Sequence, residues 1–257
     1  MGNVRRRLRT WGARPLHRLL APERRFLILT SGRSGSDLLV SLLDSHPELV
    51  CDGELLMMRR AFPDQLVRSR EALAGLRRAR AYGFKLTRDN ILAQGVEEPA
   101  AFVQALHERG YRMVLLERRD LLQHAVSYAR AEQAGYVHHR RTDGTGFSAT
   151  ELDPMAVVTF MYVLEDVAHF CRQALSGIPH VKLVYEDDLS TPERRQASAD
   201  RICDALGVSP APVHSELVRV TPGTIQDQLS NYEELAEVLA VTRYAKYLPE
   251  GEPSTER

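Results

Sequence analysis

A short apolar run followed at once by a turn of small residues is the feature that most constrains the fold. Residues Phe26–Thr30 read FLILT, which is too short for a helix and is typical of a central parallel strand buried on both faces. The next six residues read SGRSGS, and leucines at helical spacing follow them as far as Pro47. A strand, a tight turn and a helix that stops before a proline predict the opening of an α/β domain.

The same pattern recurs along the chain. Further apolar runs predict strands at 82–86, 111–116 and 181–185, and amphipathic patterns predict helices from about 120 to 133, 154 to 175 and 192 to 206. Alternating strands and helices predict a three-layer αβα fold with a central parallel sheet. We expect one domain over 25–248, a basic N-terminal arm over 1–24 and a flexible polar tail over 249–257.

Charge and cysteine usage exclude several classes of protein. The 257 residues hold 34 basic and 34 acidic side chains, so there is no charge excess of the kind that binds nucleic acid. The arm is rich in arginine and is interpreted as a solvated segment, with weak contact to an anionic membrane surface as the alternative. The three cysteines are isolated, and no apolar run is long enough to cross a bilayer. We therefore expect a cytoplasmic protein with reduced thiols, with peripheral association with a membrane as the alternative.

The turn after the first strand predicts a phosphate-binding loop. Its small residues let the backbone curl around an oxyanion, and the N–H groups of the following helix point at the same place. Arg33 adds a cation. The predicted ligand-binding residues of this loop are Gly32, Arg33, Ser34, Gly35 and Ser36.

This loop lacks the residues that an NTP-hydrolysing enzyme needs to bind its terminal phosphates and its metal ion. A Walker loop places Lys and then Ser or Thr after its last glycine, whereas Ser36 and Asp37 follow Gly35 here. A metal-dependent P-loop nucleotide kinase therefore lacks its cation and its metal ligand. That kinase and a non-catalytic nucleotide-binding module stay open as alternatives to an enzyme of another kind.

A second candidate site follows the third predicted strand. Arg119 stands at the end of that strand, and Ser127 lies eight positions later on the next helix. The carboxyl ends of parallel strands form the ligand crevice of open α/β sheets. An arginine and a hydroxyl in these places suit a second phosphate.

Together these motifs resemble those of sulfotransferases that use 3′-phosphoadenosine-5′-phosphosulfate (PAPS). Residues 33–36 (RSGS) are similar to the 5′-phosphosulfate loop of that family, and the Arg119–Ser127 spacing is similar to its 3′-phosphate motif. The chain from about 26 to 248 resembles bacterial and carbohydrate-type members, the trehalose-type enzymes among them. Further matching segments are 42–48 (LLDSHPE), 53–56 (GELL), 83–86 (GFKL), 185–189 (YEDDL) and 230–235 (SNYEEL).

The resemblance implies a fold and a reaction. It implies a P-loop-like sulfotransferase fold and a metal-free in-line displacement at sulfur, with PAPS as donor and adenosine 3′,5′-bisphosphate as product. Arg33 and the loop would hold the 5′-phosphosulfate and stabilise charge on the bridging oxygen, while Arg119 and Ser127 would hold the 3′-phosphate. The family often has Thr where this chain has Asp37, and we interpret Asp37 as turned away to stabilise the helix N-terminus.

The acceptor hydroxyl needs a general base. Glu54 matches a Gly-Glu element of the family and is the first candidate, with an exposed residue at the start of a helix as the alternative interpretation. His46 is the second candidate, and its His-Pro pair is equally a turn that ends the helix. Other residues with two interpretations are Lys85, which either reaches the sulfuryl group or extends past the sheet edge, and His138 and His139, which either touch the acceptor or are solvated.

The acceptor is expected to be a small molecule with a hydroxyl group. Sugars, glycolipids and natural products all remain open, and residues 57–80 and 135–152 are expected to shape the pocket because they lie outside the motifs. Residues 186–188 are consecutive acids, but no His or Cys accompanies them, so we predict no metal site.

Overall fold

The computed structural model of the chain describes residues 20–133, 148–217 and 223–248. Most of the predicted arm, the tail and the pair His138 and His139 lie outside these residues. The strands are β1 Arg24–Thr30, β2 Leu49–Glu54, β3 Ala81–Leu86, β4 Tyr111–Glu117 and β5 His180–Val184. The helices are α1 Ser36–Asp44, α2 Pro63–Leu76, α3 Arg88–Ala93, α4 Pro99–Glu108, α5 Leu121–Gln133, α6 Pro154–Ala174, α7 Tyr185–Asp188, α8 Pro192–Leu206, α9 Ile225–Gln228 and α10 Tyr232–Ala240, followed by a 3₁₀ turn at Ala245–Tyr247.

The five strands form one sheet in the order β2-β3-β1-β4-β5, and every pair is parallel. β1 is central, as its uninterrupted apolar sequence predicted. Leu27 lies opposite Phe84 of β3 and Met113 of β4. Because the strands run in one direction, the residues that follow them gather at one edge of the sheet.

Side chains of β1 alternate between two apolar cores. Leu27 and Leu29 pack in one core with residues of α2, α4 and the end of α6. Phe26 and Ile28 pack in the other core with residues of α1 and α8. The sheet therefore has helices on both faces, and the predicted three-layer α/β fold with a central parallel sheet is confirmed.

Among the five described strands, β2 is the one that the sequence did not predict. Its sequence, LVCDGE, contains residues with low strand propensity, and four of its six positions are only partly buried because β2 is an edge strand. Glu54 is its last residue. The interpretation of Glu54 as a residue at the start of a helix is therefore wrong, and the residue lies at the carboxyl edge of the sheet.

The residues predicted as one domain fall into two compact units. The first unit contains residues 1–117 and 167–215, and the second contains 118–166 and 216–257. The described part of the second unit has its own core, in which α5, the first part of α6 and α10 pack through Leu122, Val126, Met161 and Leu239.

Helix α6 differs from one expectation. Among the described residues it is the one helix long and apolar enough to span a membrane by length and composition, with a mean hydropathy of 1.2. Val157 and Met161 are buried in the core of the second unit, and Val167 and Cys171 in that of the first. Core helices of globular proteins meet the same test, and the two cores account for the part of α6 that is buried, 39% of its most apolar stretch.

Candidate functional site

The loop between β1 and α1 has the backbone of an anion-binding turn. Gly35 is the N-cap of α1 and has φ 89°, in the left-handed region. Arg33 is also left-handed, with φ 59°, which is uncommon for a residue with a side chain. The first backbone N–H groups of α1 have no partner within the helix. The local geometry thus agrees with the phosphate-binding loop predicted from the sequence.

The Ser34 side chain holds this loop from inside. It is fully buried, and its hydroxyl lies 2.6 Å from the Thr30 hydroxyl and 2.9 Å from the carbonyl oxygen of Ser31. The Thr30 hydroxyl in turn lies 2.9 Å from the carbonyl oxygen of Leu116 on β4. The predicted use of the Ser34 hydroxyl to bind phosphate is therefore not supported, because its hydrogen bonds are made within the protein.

Tyr185 explains why position 35 is glycine. A Cβ atom built on Gly35 would lie 2.3 Å from Cδ2 of the Tyr185 ring. Tyr185 begins α7 directly after β5. The ring therefore packs against the loop, and a side chain at position 35 would collide with it as well as strain the backbone.

A buried lysine joins the loop helix to the candidate base. Lys85, near the end of β3, is 4% exposed. Its Nζ lies 2.5 Å from Oδ1 of Asp37 and 2.8 Å from Oε1 of Glu54. Asp37 is in the first turn of α1, so three charged groups from three elements meet at the carboxyl edge of the sheet.

The Lys85 ammonium attracts the carboxylates of both Asp37 and Glu54. Burial alone would lower the pKa of the Lys85 ammonium, but the carboxylates of Asp37 and Glu54 outweigh it, so that pKa lies above its ordinary value. Lys85 is therefore a permanent cation at neutral pH. The group as a whole has one positive and two negative charges.

This arrangement bears on two interpretations made from the sequence. Asp37 was interpreted as turned away to stabilise the helix N-terminus, and it lies in the first turn of α1 with its carboxylate bound to Lys85. Lys85 was expected to reach the sulfuryl group or to extend past the sheet edge, and its burial between two acids does not fit the second interpretation. A lone lysine at the end of an otherwise apolar strand was the sequence signal for this group.

Glu54 is positioned through both carboxylate oxygens. Oε1 accepts from Lys85, and Oε2 accepts a hydrogen bond of 3.1 Å from Nδ2 of Asn90. Asn90 is held in turn, because it forms a capping box with Thr87 at the start of α3. The Glu54 side chain keeps 27% of its surface exposed. It is thus fixed in place and still open to a ligand.

His46 lies elsewhere. It precedes β2 and is therefore at the amino edge of the sheet, and its side chain is 2% exposed. Its Nδ1 accepts from the backbone N–H of Glu48 at 3.1 Å, which leaves Nε2 to donate to the carbonyl oxygen of Ser209, also at 3.1 Å. Both nitrogens are engaged, so the geometry favours the structural interpretation of His46 over the catalytic one.

The buried side chain of Gln94 fixes the backbone of the segment after Glu54 through three hydrogen bonds. Nε2 of the buried Gln94 donates to the carbonyl oxygens of Leu56 and Met58 at 2.9 and 3.0 Å, and its Oε1 accepts from the N–H of Arg60 at 3.0 Å. Large apolar side chains are left exposed on this segment: Met57 is 61%, Met58 62% and Phe62 65% exposed. This is the start of the region expected to contact the acceptor.

Arg119 and Ser127 belong to the second unit. Arg119 is exposed in the turn between β4 and α5, and Ser127 is half-buried on α5. Both are where the sequence placed them, at a strand end and on the following helix. Their assignment to a 3′-phosphate stays a prediction.

The acidic residues after β5 serve the fold. Asp188 accepts from the N–H of Val184 at 2.6 Å and from Nη1 of Arg201 at 2.7 Å. Within the described part of the chain, no three His, Cys, Asp or Glu side chains are grouped as metal ligands. The cysteines Cys51, Cys171 and Cys203 are free and buried.

The sheet and its first loop define a P-loop-like α/β protein. No protein-family model matches the chain, and no curated protein matches it in sequence. The fold is similar to a sulfotransferase from Alicyclobacillus acidocaldarius, with 14% identity, coverage of 88% of this chain and 92% of that chain, and a TM-score of 0.48. It is also similar to shikimate kinase from Bacteroides thetaiotaomicron, with 13% identity, coverage of 72% and 99%, and a TM-score of 0.39. Similarity at this level does not assign an activity.

Proposed function

We propose that this protein is a sulfotransferase that moves a sulfuryl group from PAPS to a hydroxyl of a carbohydrate, glycolipid or natural-product acceptor. The observation that supports this most directly is the ion-paired group at the carboxyl edge of the sheet. Through Lys85, the carboxylate of Glu54 is joined to the first turn of the phosphate-loop helix. A candidate base thus lies next to the candidate anion site, as a transfer from a bound donor requires.

The loop has groups that fit the 5′ end of the donor. The left-handed Gly35 and the first N–H groups of α1 provide a cradle for oxyanions, and the Tyr185 ring packed against Gly35 leaves no room for a side chain there. Arg33 would stabilise the negative charge that develops on the leaving group. By the resemblance in sequence, Arg119 and Ser127 would bind the 3′-phosphate, which distinguishes PAPS from ordinary adenine nucleotides.

The proposed reaction is a single displacement at sulfur. The acceptor oxygen forms a bond to sulfur while the bond from sulfur to the bridging oxygen of the donor breaks. Glu54 takes the hydroxyl proton, and adenosine 3′,5′-bisphosphate leaves with the electron pair. No step in this scheme needs a metal ion, since Arg33 is the cation proposed to offset the charge on the leaving group.

The acceptor is proposed to contact the segment held by Gln94. Met57, Met58 and Phe62 follow Glu54 closely in the chain and are exposed, and exposed apolar groups next to a catalytic edge favour binding of an organic ligand. The segment 135–152, also proposed to contact the acceptor, lies mostly outside the described residues.

Binding without metal separates the proposed function from its two alternatives. We expect adenosine 3′,5′-bisphosphate to bind in the presence of EDTA, and ATP and GTP to bind much more weakly. Sulfuryl transfer from PAPS to a panel of sugar and lipid hydroxyls should also proceed with EDTA present, measured by release of the bisphosphate together with the sulfated product.

Each alternative predicts another outcome. Activity that disappears with EDTA and returns with magnesium, together with tight binding of ATP, would favour a kinase. Binding of the bisphosphate with no transfer to any acceptor in the panel would favour a non-catalytic nucleotide-binding module.

A further inference from the structure

We propose that the exposed surface formed by residues 73–80 docks this protein on an anionic lipid bilayer. We call it the basic surface, and it combines two leucines with three arginines: Leu73, Leu76, Arg77, Arg78 and Arg80. This inference goes beyond the proposed function and does not depend on it, because the basic surface and the candidate site lie at opposite edges of the sheet.

The basic surface lies at the amino edge. It covers the last turn of α2 and the turn that leads into β3, which begins at Ala81. The N–H of Arg80 donates to the carbonyl oxygen of Glu48, just before β2, and the N–H of Arg24 donates to the carbonyl oxygen of Arg80 at 3.1 Å. The candidate site lies at the carboxyl edge, so docking through the basic surface leaves that site uncovered.

Two leucines of α2 face outward instead of packing in a core. Leu73 is 48% and Leu76 is 63% exposed, whereas Val67 and Ala74 of the same helix are buried in the core beside β1. Leu73 and Leu76 are three positions apart and therefore neighbours on the helix surface. Exposed apolar side chains next to basic ones are typical of protein surfaces that enter the headgroup region of a bilayer.

The charges of the basic surface have one sign. Residues 73–80 contain three arginines and no acid. Arg80 lies 3.9 Å from one acid, Glu48. Arg77 and Arg78 are exposed and form no ion pair within residues 20–133, 148–217 and 223–248. Two arginine side chains are therefore available to anions from outside the protein.

The arginine-rich residues 1–19 precede this surface in the chain. They include six arginines and no acid. Leu20, which follows them, is 39% exposed, and a Cβ atom built on Gly75 would lie 1.5 Å from its carbonyl oxygen. The backbone at Leu20 thus lies against α2 within the basic surface, so the basic N-terminal residues are joined to the chain at this place.

Two further acids are near in sequence but do not cancel this charge. Glu71 is 3% exposed, and its carboxylate lies 3.1 Å from Nε of Arg25, so its charge is offset inside the protein. Glu23 is exposed and is followed directly by Arg24. The region is therefore positive, although the whole chain holds 34 basic and 34 acidic side chains.

An anionic bilayer fits both kinds of side chain on the basic surface. Its negative surface potential attracts arginines within a short distance, and leucines that enter the headgroup region leave water. A nucleic acid also attracts arginines, but it offers little to Leu73 and Leu76. The exposed leucines therefore favour the bilayer.

The experiment measures co-sedimentation of the full chain with vesicles at about 0.1 M salt. One set of vesicles is phosphatidylcholine alone, and the other contains about 30% phosphatidylserine. We expect the natural chain to bind the second set, to bind it more weakly as the salt concentration rises, and to bind the first set little.

Paired substitutions test which residues bind. Arg77→Gln together with Arg78→Gln should weaken binding to the phosphatidylserine vesicles by about tenfold or more. Leu73→Ser together with Leu76→Ser should weaken it by about threefold or more. All four side chains are exposed, so both variants should fold, and circular dichroism checks this.

Arg59→Gln together with Arg60→Gln is the matched control. It removes the same charge from two consecutive exposed arginines that follow the carboxyl end of β2, and it should bind the vesicles as the natural chain does. The proposal is overturned if the natural chain does not bind phosphatidylserine vesicles, or if the control loses as much binding as the variant of Arg77 and Arg78.

A double-stranded DNA oligonucleotide tests the other polyanion. If it binds the natural chain as tightly as the vesicles do, and the leucine variant binds both normally, the surface recognises negative charge alone and the proposal is likewise overturned. Vesicle binding that falls in both paired variants and is unchanged in the control supports it. Neither result alters the proposed function, which nucleotide binding and sulfuryl transfer test separately.

Discussion

Lys85 determines the electrostatics of the candidate site, because it is the buried charge on which two partly exposed carboxylates depend. A buried ion needs partners to offset the loss of water, and removing one member of such a set is more costly than removing an exposed pair. Asp37 and Glu54 come from α1 and β2, and Lys85 comes from β3 between them. The ammonium therefore fixes the relative positions of the loop helix and the candidate base.

Lys85→Met should destabilise the first unit. The side chain is similar in volume, but two carboxylates lose a charge-assisted hydrogen bond, and each such bond contributes about 1.5–3 kcal/mol. Because both carboxylates are partly exposed and water replaces part of what they lose, chemical denaturation should show a total loss of about 1.5–3 kcal/mol. The control is Lys182→Met, whose ammonium is 52% exposed and lies 2.8 Å from Glu117; an exposed ion pair contributes at most about 1 kcal/mol. Equal losses in the two variants would show that the buried ammonium of Lys85 contributes no more to stability than the exposed ammonium of Lys182.

The stability that Lys85 provides depends on pH in a defined direction. The pKa of its ammonium is raised by Asp37 and Glu54 although burial opposes this, so the folded state holds the proton more tightly than the unfolded state. Its contribution is therefore fully present below the unfolded pKa of about 10.4 and is lost as the pH rises through the higher folded value. The difference in unfolding free energy between the natural chain and Lys85→Met should be constant from pH 7 to 9 and should decrease above about pH 10. A difference that grows above that pH would contradict the ion-paired arrangement.

Glu54→Gln tests the proposed base. The amide keeps the shape of the side chain but cannot take a proton, and general bases typically contribute about 10²–10⁴-fold to rate. Turnover on an accepted hydroxyl should fall by at least the lower figure, while affinity for adenosine 3′,5′-bisphosphate should hardly change. Glu48→Gln is the control, since Glu48 lies at the amino edge of the sheet and its carboxylate has one ion-pair partner among the described residues, Arg80 at 3.9 Å. Near-normal turnover in Glu54→Gln would remove the proton-transfer role from this residue.

At the scale of elements, the loop before α1 is built around one glycine. Gly35→Ala places a Cβ in a left-handed backbone and against the Tyr185 ring. Gly110→Ala is a matched control, because Gly110 also has φ 89° but nothing lies within 4 Å of its added Cβ. The control should lose about 1–2 kcal/mol of stability through the backbone alone. Gly35→Ala should lose more and should also weaken bisphosphate binding, which denaturation and calorimetry can measure side by side.

An equal loss in the two variants would show that Tyr185 moves away without cost. An unchanged affinity for the bisphosphate in Gly35→Ala would contradict the loop as the anion site.

The elements that the sequence predicted well are those with one dominant physical cause. The runs of β1 and β4 are apolar because these strands are buried on both faces, and α8 begins with Thr191 as a cap and Pro192 in its first turn. β2 was missed because it is an edge strand whose acids, Asp52 and Glu54, pair with Arg70 and Lys85 instead of packing in a core. Sequence patterns report burial, and a strand with four partly buried positions shows little of it.

Distance along the sequence separates the features of the site that were predicted from those that were not. The glycine-rich turn is local in sequence, so the tight turn between a strand and a helix was predicted, and its assignment to phosphate stays a prediction. Contacts such as Lys85 with Asp37 and Asn90 with Glu54 join residues 48 and 36 positions apart. No pattern in the sequence shows which strands are neighbours, so these pairs required the sheet order.

At the scale of the whole molecule, the proposed donor should stabilise the folded chain in proportion to how well it is bound. A ligand at about one hundred times its dissociation constant adds roughly 2.7 kcal/mol to folding, which in a chain of this size raises the melting temperature by roughly 5–10 °C. Adenosine 3′,5′-bisphosphate should give such a shift, and AMP at the same concentration should give much less, because it lacks the 3′-phosphate assigned to Arg119 and Ser127.

Arg119→Ala tests that assignment. A charge-assisted hydrogen bond to phosphate contributes about 1.5–3 kcal/mol, so the variant should lose most of the difference between the two nucleotides while its melting temperature without ligand stays close to that of the natural chain, since Arg119 is exposed. Arg112→Ala is the control, because Arg112 is an exposed arginine near the opposite end of β4 and its loss should leave the nucleotide shifts unchanged. Equal shifts for the bisphosphate and AMP in the natural chain would show that the 3′-phosphate is not recognised, and the resemblance of the Arg119–Ser127 pair to a 3′-phosphate motif would then have no counterpart in binding.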